Sequence, residues 1–155
     1  MIPIRVIIVD DHKGIRELLK KCFGEEPDIQ VVGEFPSGED ALKGIKRGSF
    51  DVLVTDLWMK SLNGIELVKR LREMIPETLA LIWSVATDAF YVSQAKNAGA
   101  QGYISKSASF DYLVSAVRTI TRQSFHGFYV SPDLSPNVDG ATGYNQTETT
   151  PPVND

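Results

Sequence analysis

The sequence predicts an α/β protein, a five-stranded parallel sheet flanked by five helices. Short, nearly continuous apolar runs rich in β-branched residues alternate five times with segments of helical spacing. Runs of this kind are too short for helices and too unbroken for half-exposed strands, so they read as strands buried on both faces. Strand–helix alternation brings right-handed crossovers and helices on both faces of the sheet. A length of 155 residues, with 43% hydrophobic and 23% charged, suits one domain with a sizeable core.

The first strand is Ile4 to Val9, and Ile15, Leu18, Leu19, Cys22 and Phe23 then mark the apolar stripe of the first helix. Cys22 reads there as a small buried hydrophobe. Ile29 to Val32 forms the second strand, ending toward Phe35 and Pro36, and Ala41, Leu42 and Ile45 carry the second helix. Ser37 precedes Gly38-Glu39-Asp40 as an N-cap with acids in the first turn, which favours the positive end of the helix dipole. Val52 to Thr55 is the third strand; Asn63 caps a helix bearing Ile65, Leu67, Val68 and Leu71, which Pro76 closes. Leu79 to Trp83 is the fourth strand, with Trp83 in the core, and its helix carries Phe90, Val92, Ala95 and Ala98. Gln101 to Ile104 is the fifth strand, followed by Tyr112, Leu113, Ala116, Val117 and Ile120 on the last helix. Gly48 and Gly99 fall where helices stop.

Residues 1–125 therefore form the ordered body, and 126–155 are expected to be a flexible tail or linker remnant. The last 25 residues hold four of the eight prolines among Ser, Thr, Asn and Gly, and bury too little apolar surface to offset ordering entropy. Asn145-Gln146-Thr147 matches a glycosylation acceptor by chance only, because no secretory signal precedes it. The net charge of −4 also sits in this segment: residues 131–155 contain Asp133, Asp139, Glu148 and Asp155 and no Lys or Arg. The body carries 16 acidic and 16 basic groups, which gives no general basis for nucleic-acid binding. One cysteine excludes a disulfide framework and a multi-cysteine zinc site. No apolar stretch approaches the roughly 18 residues of a membrane span, so no membrane association and a cytoplasmic location are expected.

In an open parallel sheet, ligands bind outside the carboxyl ends of the strands. Those ends carry Asp10, Asp11 and His12 after the first strand, Asp56 after the third, Ser84 after the fourth and Lys106 after the fifth. Three carboxylates within about 4 Å repel by several kcal/mol per pair at an effective dielectric of about 20, so a cation is needed among them. All-oxygen ligation suits a hard ion such as Mg²⁺. Lys106 adds a second positive charge that suits a phosphoryl oxygen, and Ser84 a hydroxyl donor. A carboxylate beside a metal and a lysine either ligates for another substrate or is itself the nucleophile that forms an acyl phosphate. Asp56, alone at the end of the central strand, is the candidate nucleophile; Asp10 and Asp11 are the candidate metal holders. His12 reads as a solvated residue starting the first helix, and His126 carries no role.

These residues resemble the receiver domain of two-component response regulators. The resemblance rests on Val9-Asp10-Asp11-His12, on Val54-Thr55-Asp56-Leu57-Trp58-Met59 with Asn63-Gly64, on Ser84, and on Gly102-Tyr103-Ile104-Ser105-Lys106. It covers residues 4 to about 125 and implies a flavodoxin-like sheet of strand order 2-1-3-4-5, an order for which a member of this family is itself a stock example. It implies that Asp56 accepts a phosphoryl group from a sensor histidine kinase or phosphotransfer protein. Asp11, Asp56 and the backbone carbonyl of Trp58 would bind Mg²⁺, with Asp10 assisting through water. Lys106 and Ser84 would contact the phosphoryl oxygens. Ser84 and Tyr103 match the family's switch pair, whose rearrangement remodels the face of the fourth helix, fifth strand and fifth helix and can drive dimerisation. Such a chain is a phosphorylated signalling module rather than a turnover enzyme.

Two residues depart from the family pattern. Lys60 follows Met59 where proline is usual, adding charge and removing a conformational lock. Val85 follows Ser84 where a small residue is usual, which narrows the approach to the site. Trp58, two residues after Asp56, is placed to shield an acyl phosphate from water. An alternative is the receiver part of a DNA-binding transcription regulator, because Phe128-Tyr129-Val130-Ser131-Pro132 resembles the connection to a C-terminal helix-turn-helix. No such basic helical module follows, so this chain alone is not expected to bind nucleic acid. A nucleotide or flavin binder is disfavoured, because Asp-Asp-His-Lys-Gly after the first strand repels phosphate and lacks a glycine cradle. A phosphohydrolase is disfavoured because no second acid follows two residues after a first-strand aspartate.

Overall fold

The computed structural model describes residues 2–134. The elements, in chain order, are β1 (Ile4–Val9), α1 (Lys13–Gly24), β2 (Ile29–Phe35), α2 (Gly38–Gly44), β3 (Val52–Thr55), α3 (Gly64–Met74), β4 (Leu79–Ser84), α4 (Ala89–Asn97), β5 (Gly102–Ser105), α5 (Phe110–Ile120) and β6 (Tyr129–Val130). All strand pairs are parallel, in the order β2-β1-β3-β4-β5-β6. Five of the six strands and all five helices are those expected from the sequence. Among the described residues no helix is long and apolar enough to cross a membrane.

Alternation along each strand divides the core between the two faces. Val6, Ile8, Val52, Val54, Leu81, Trp83 and Ile104 pack against α1 and α5 through Leu19, Phe23, Leu113 and Val117. Ile7, Val9, Leu53, Ile82 and Tyr103 pack on the other face, with Ala41, Leu67, Leu71, Val92 and Ala95 of α2, α3 and α4. Ser37 and Asn63 cap α2 and α3 as expected, and Asp88 and Ser109 likewise accept a backbone N–H in the first turn of α4 and α5. Gly99 just after α4 and Gly48 adopt φ of 100° and 80°, the left-handed conformation that suits glycine; Gly48 lies in the turn before β3, because α2 already ends at Gly44.

The sixth strand departs from the five-strand expectation and falls where the tail was expected to begin. Tyr129 and Val130 pair with Gly102 and Tyr103, and Phe128, Tyr129, Val130, Ser131 and Leu134 are buried. Gly102 is required by this pairing, because a Cβ there would lie 2.7 Å from the Tyr129 carbonyl oxygen and 2.8 Å from Leu81 Cδ2. A two-residue strand has too short a pattern to read as one, and the apolar Phe128-Tyr129-Val130 gains its core only by docking beside β5. The rest of the expected tail, 135–155, lies outside the described residues, as do Asp139, Glu148, Asp155 and Asn145. Smaller differences follow from exposure. Cys22 is half-buried rather than buried, and Leu18 and Phe90 are exposed because their helices present those positions to solvent.

Candidate functional site

The carboxyl ends of β1, β3 and β5 converge because the three strands are neighbours or near-neighbours in one twisted sheet. Asp10 follows β1 and is 1% exposed; Asp56 follows β3 and is 6% exposed. Lys106 reaches them from the end of β5: its Nζ lies 3.2 Å from Asp10 Oδ2 and 3.3 Å from Asp56 Oδ1. Asp11 sits at the rim, and one ligand atom each from Asp10, Asp11, His12 and Asp56 falls within 4.8 Å of the others.

Each carboxylate is held by local backbone. Asp10 Oδ1 accepts the His12 N–H at 2.9 Å, and Asp56 Oδ1 accepts the Leu57 N–H at 2.8 Å. The start of α3 closes behind Asp56: Gly64 N–H donates to the Leu57 carbonyl, and Asn63 caps the helix. Gly64 lies so close to the Asp56 carbonyl oxygen that any side chain there would clash with backbone. The loop between them contains Ser61 at φ 65°, a left-handed conformation that costs a non-glycine residue of order 1 kcal/mol. Lys60 and Trp58 of the same loop are exposed, and Trp58 stacks edge-on against Tyr91 at 5.0 Å between centroids.

Charge in this site is uncompensated by protein alone. Burial pushes the Asp56 carboxyl above its ordinary range; the Lys106 charge opposes this and the Asp10 charge reinforces it. Asp11 Oδ1 is buried and accepts no hydrogen bond among the described residues, although His12 Nδ1 stands 3.0 Å away in a non-bonding orientation. An orphaned carboxylate oxygen beside two further carboxylates fits a hard, oxygen-seeking cation.

Ser84 and Tyr103 meet through one backbone unit. The Ala86 N–H donates to Ser84 Oγ at 3.0 Å, and the Tyr103 hydroxyl donates to the Ala86 carbonyl at 2.7 Å. Both side chains are fully buried, and burial pushes the Tyr103 phenol up to about 12. The tyrosine ring therefore stands in the inward position in this structure. Val85, between Ser84 and Ala86, is 66% exposed.

Sequence reasoning missed three contacts here. His12 has a ring that is 70% exposed, as expected of a solvated residue, yet its Nδ1 faces both Asp10 and Asp11. The Trp83 ring lies beneath Lys106, with Nζ 4.9 Å from its centroid. Ser131, beyond β6, accepts the Ser105 N–H at 3.0 Å, which ties β6 to the residue before Lys106. The adjacency of His12 to the acid pair was a usable signal; the other two join residues 23 and 26 positions apart, with no local pattern to reveal them.

A family model described as the response regulator receiver domain matches residues 6–118. The transcriptional regulatory protein UhpA of Salmonella typhimurium is 38% identical over 133 residues, 85% of this chain and 64% of that protein. DegU of Brevibacillus brevis is 31% identical over 135 residues, 87% of this chain and 56% of that protein. This chain thus spans less than two thirds of the length of these curated relatives. Among solved structures, a two-component response regulator of the LuxR family from Aurantimonas superposes with TM-score 0.82 and 27% identity, covering 88% of this chain and 96% of that one. The signal receiver domain of NarL from Mycobacterium tuberculosis gives TM-score 0.74 and 28% identity, covering 79% and 99%.

Proposed function

The chain belongs to the response regulator receiver family, a family of signalling domains, and from that premise we propose that Asp56 is its phosphoacceptor. The observation that carries this is the convergence of Asp10, Asp56 and Lys106 within 3.2–3.3 Å contacts at the carboxyl ends of three strands. The donor is a phosphohistidine of a sensor kinase or phosphotransfer protein. An Asp56 carboxylate oxygen forms the new P–O bond as the donor's P–N bond breaks; the imidazole nitrogen keeps that electron pair and takes up a proton. Lys106 and Ser84 contact the phosphoryl oxygens, Lys106 as a point charge and Ser84 as a hydroxyl donor. Bound Mg²⁺ supplies positive charge against the phosphoryl oxygens, and Asp11, Asp56 and the Trp58 backbone carbonyl are the groups that would hold it, with Asp10 assisting through water.

Once Asp56 is modified, Ser84 is drawn toward the phosphoryl group, and its link through Ala86 to Tyr103 passes the change to the face of α4, β5 and α5. That face would then signal to a partner or to a second copy of the chain. We place the end of the receiver body after Leu134 rather than at 125, because the buried residues of the β6 segment belong to its core. The names of UhpA and DegU favour a second reading, in which this receiver serves a longer transcription regulator whose DNA-binding part is not in this sequence. The length of the open reading frame tests it.

Intact-mass measurement after incubation with acetyl phosphate and Mg²⁺ tests the main reading. One phosphoryl adduct is expected, absent in Asp56→Asn and absent when EDTA is present. No adduct, or an adduct that persists in Asp56→Asn, overturns it.

A further inference from the structure

We propose that Trp83 is a positioning residue for Lys106, its indole face holding the ammonium at the carboxylate cluster independently of the carboxylates themselves. The proposal rests on the phosphoacceptor reading above for its consequence, though not for its geometry.

Lys106 Nζ lies against Asp10 Oδ2, Asp56 Oδ1 and the Trp83 ring, whose centroid is 4.9 Å away. That distance lies within the range of about 6 Å at which a ring quadrupole attracts a cation, and indole is the strongest of the aromatic faces. The pair is sheltered from water, with the Lys106 side chain 15% exposed and Trp83 8% exposed, which strengthens the attraction. The ring itself is immobilised. It projects from β4 into the core between the sheet and α1 and α5, packed with Ile8, Val54 and Ile104.

The two kinds of contact answer differently to charge. Asp56 would be a direct ligand of a divalent cation and Asp10 would assist through water, so such a cation competes with the ammonium for these carboxylates and repels it. The indole face is neutral and offers no oxygen ligand, so its hold on the ammonium is not contested. A four-carbon lysine stem left without it has several rotamers that lead to solvent. Trp83 thereby keeps the positive charge beside Asp56 during the interval in which its carboxylate partners are otherwise engaged.

Two measurements on the full chain test this. In the metal-free wild type, ring current is expected to move the Lys106 ε-methylene proton signals upfield, a displacement reduced in Trp83→Phe and lost in Trp83→Leu. With acetyl phosphate and Mg²⁺, Trp83→Leu is expected to phosphorylate about threefold to tenfold more slowly, with Trp83→Phe recovering most of the loss. In a Lys106→Met background Trp83→Leu should change the rate less than about twofold, because a residue acting through Lys106 has nothing left to position. Lys106 ε-methylene signals at unperturbed positions in the wild type overturn the proposal. So does a Trp83→Leu loss of equal size with and without the lysine charge, which marks packing alone. Should Trp83→Leu not fold, the wild-type spectrum and Trp83→Phe decide the matter. Failure of the phosphoacceptor reading is recognised separately, by an adduct that survives Asp56→Asn, and leaves the spectral result standing.

Discussion

At Asp56 burial outweighs the nearby ammonium, so the carboxyl sits above its ordinary range, with Asp10 adding to the effect. A carboxyl whose native pKa is raised weakens the fold as pH rises from the ordinary carboxylate range through the native value, after which the loss is constant. Asp56→Asn removes that buried charge. The metal-free variant is therefore expected to be more stable than wild type at neutral pH, with the difference closing as the pH falls below the carboxylate range. Urea titrations at several pH values check this, and equal stability at pH 7 contradicts it. Val85, 66% exposed next to the buried Ser84, is expected to affect kinetics rather than stability. Val85→Ala is expected to exchange phosphoryl groups with a small donor about two- to fivefold faster, a barrier change of less than about 1 kcal/mol. Equal or faster wild-type kinetics would sink this. Asp10, Asp11, Asp56 and Lys106 were legible in the sequence because each follows a recognisable strand end. Trp83 read only as core, since nothing local to it announces a lysine arriving from the next strand.

At the scale of the element, β6 is the feature with the largest consequence. The strand is short, but it brings Phe128, Val130 and Leu134 into the core beside α4 and Tyr129 into the core beside α5. Its backbone engages the first half of β5: Tyr129 N–H donates to the Gln101 carbonyl and Ser131 N–H to the Tyr103 carbonyl. Leu134, fully buried, is the natural probe. Leu134→Ala is expected to cost about 2–3 kcal/mol, the lower part of the range for such a cavity. Denaturant unfolding with an unchanged slope checks the figure, and a loss below about 0.5 kcal/mol would show the segment to be peripheral. The tail expected from 126 includes Phe128, Tyr129 and Val130, which are buried beside β5. The Pro- and Thr-rich composition belongs to residues 131–155 and does not reach back to this apolar stretch.

Across the whole molecule, ion pairs bind elements that are distant in sequence. Arg118 of α5 donates to Asp28 and Glu26 in the turn between α1 and β2, at 2.7 and 2.8 Å. Arg5 pairs with Asp51, and Lys20 and Arg16 both reach Glu34. The Arg118 hydrogen bond holds Asp28 below the usual carboxylate range, the Lys20 hydrogen bond does so for Glu34, and the Arg5 hydrogen bond for Asp51. Groups with depressed native values stabilise the fold above the ordinary carboxylate range and lose that contribution as pH falls through their native values. Stability is thus expected to decline on acidification from about pH 5 downward. Asp28→Asn should flatten part of that decline, measured as the unfolding midpoint against pH, and an unchanged acid slope in the variant would count against it.

The order and type of the first five strands and five helices, and the set of acidic and basic residues at the strand ends, could be read from the amino-acid order alone. Both are written in local patterns: alternation, capping residues, and chemistry placed just after an apolar run. Folding in three dimensions was needed to show that β6 adds an edge strand beside β5, that Tyr103 stands inward on the Ala86 carbonyl, and that Lys106 rests over Trp83. Each of these is a meeting between residues on different elements. It depends on strand register and sheet twist, which bring together side chains that no window of sequence contains.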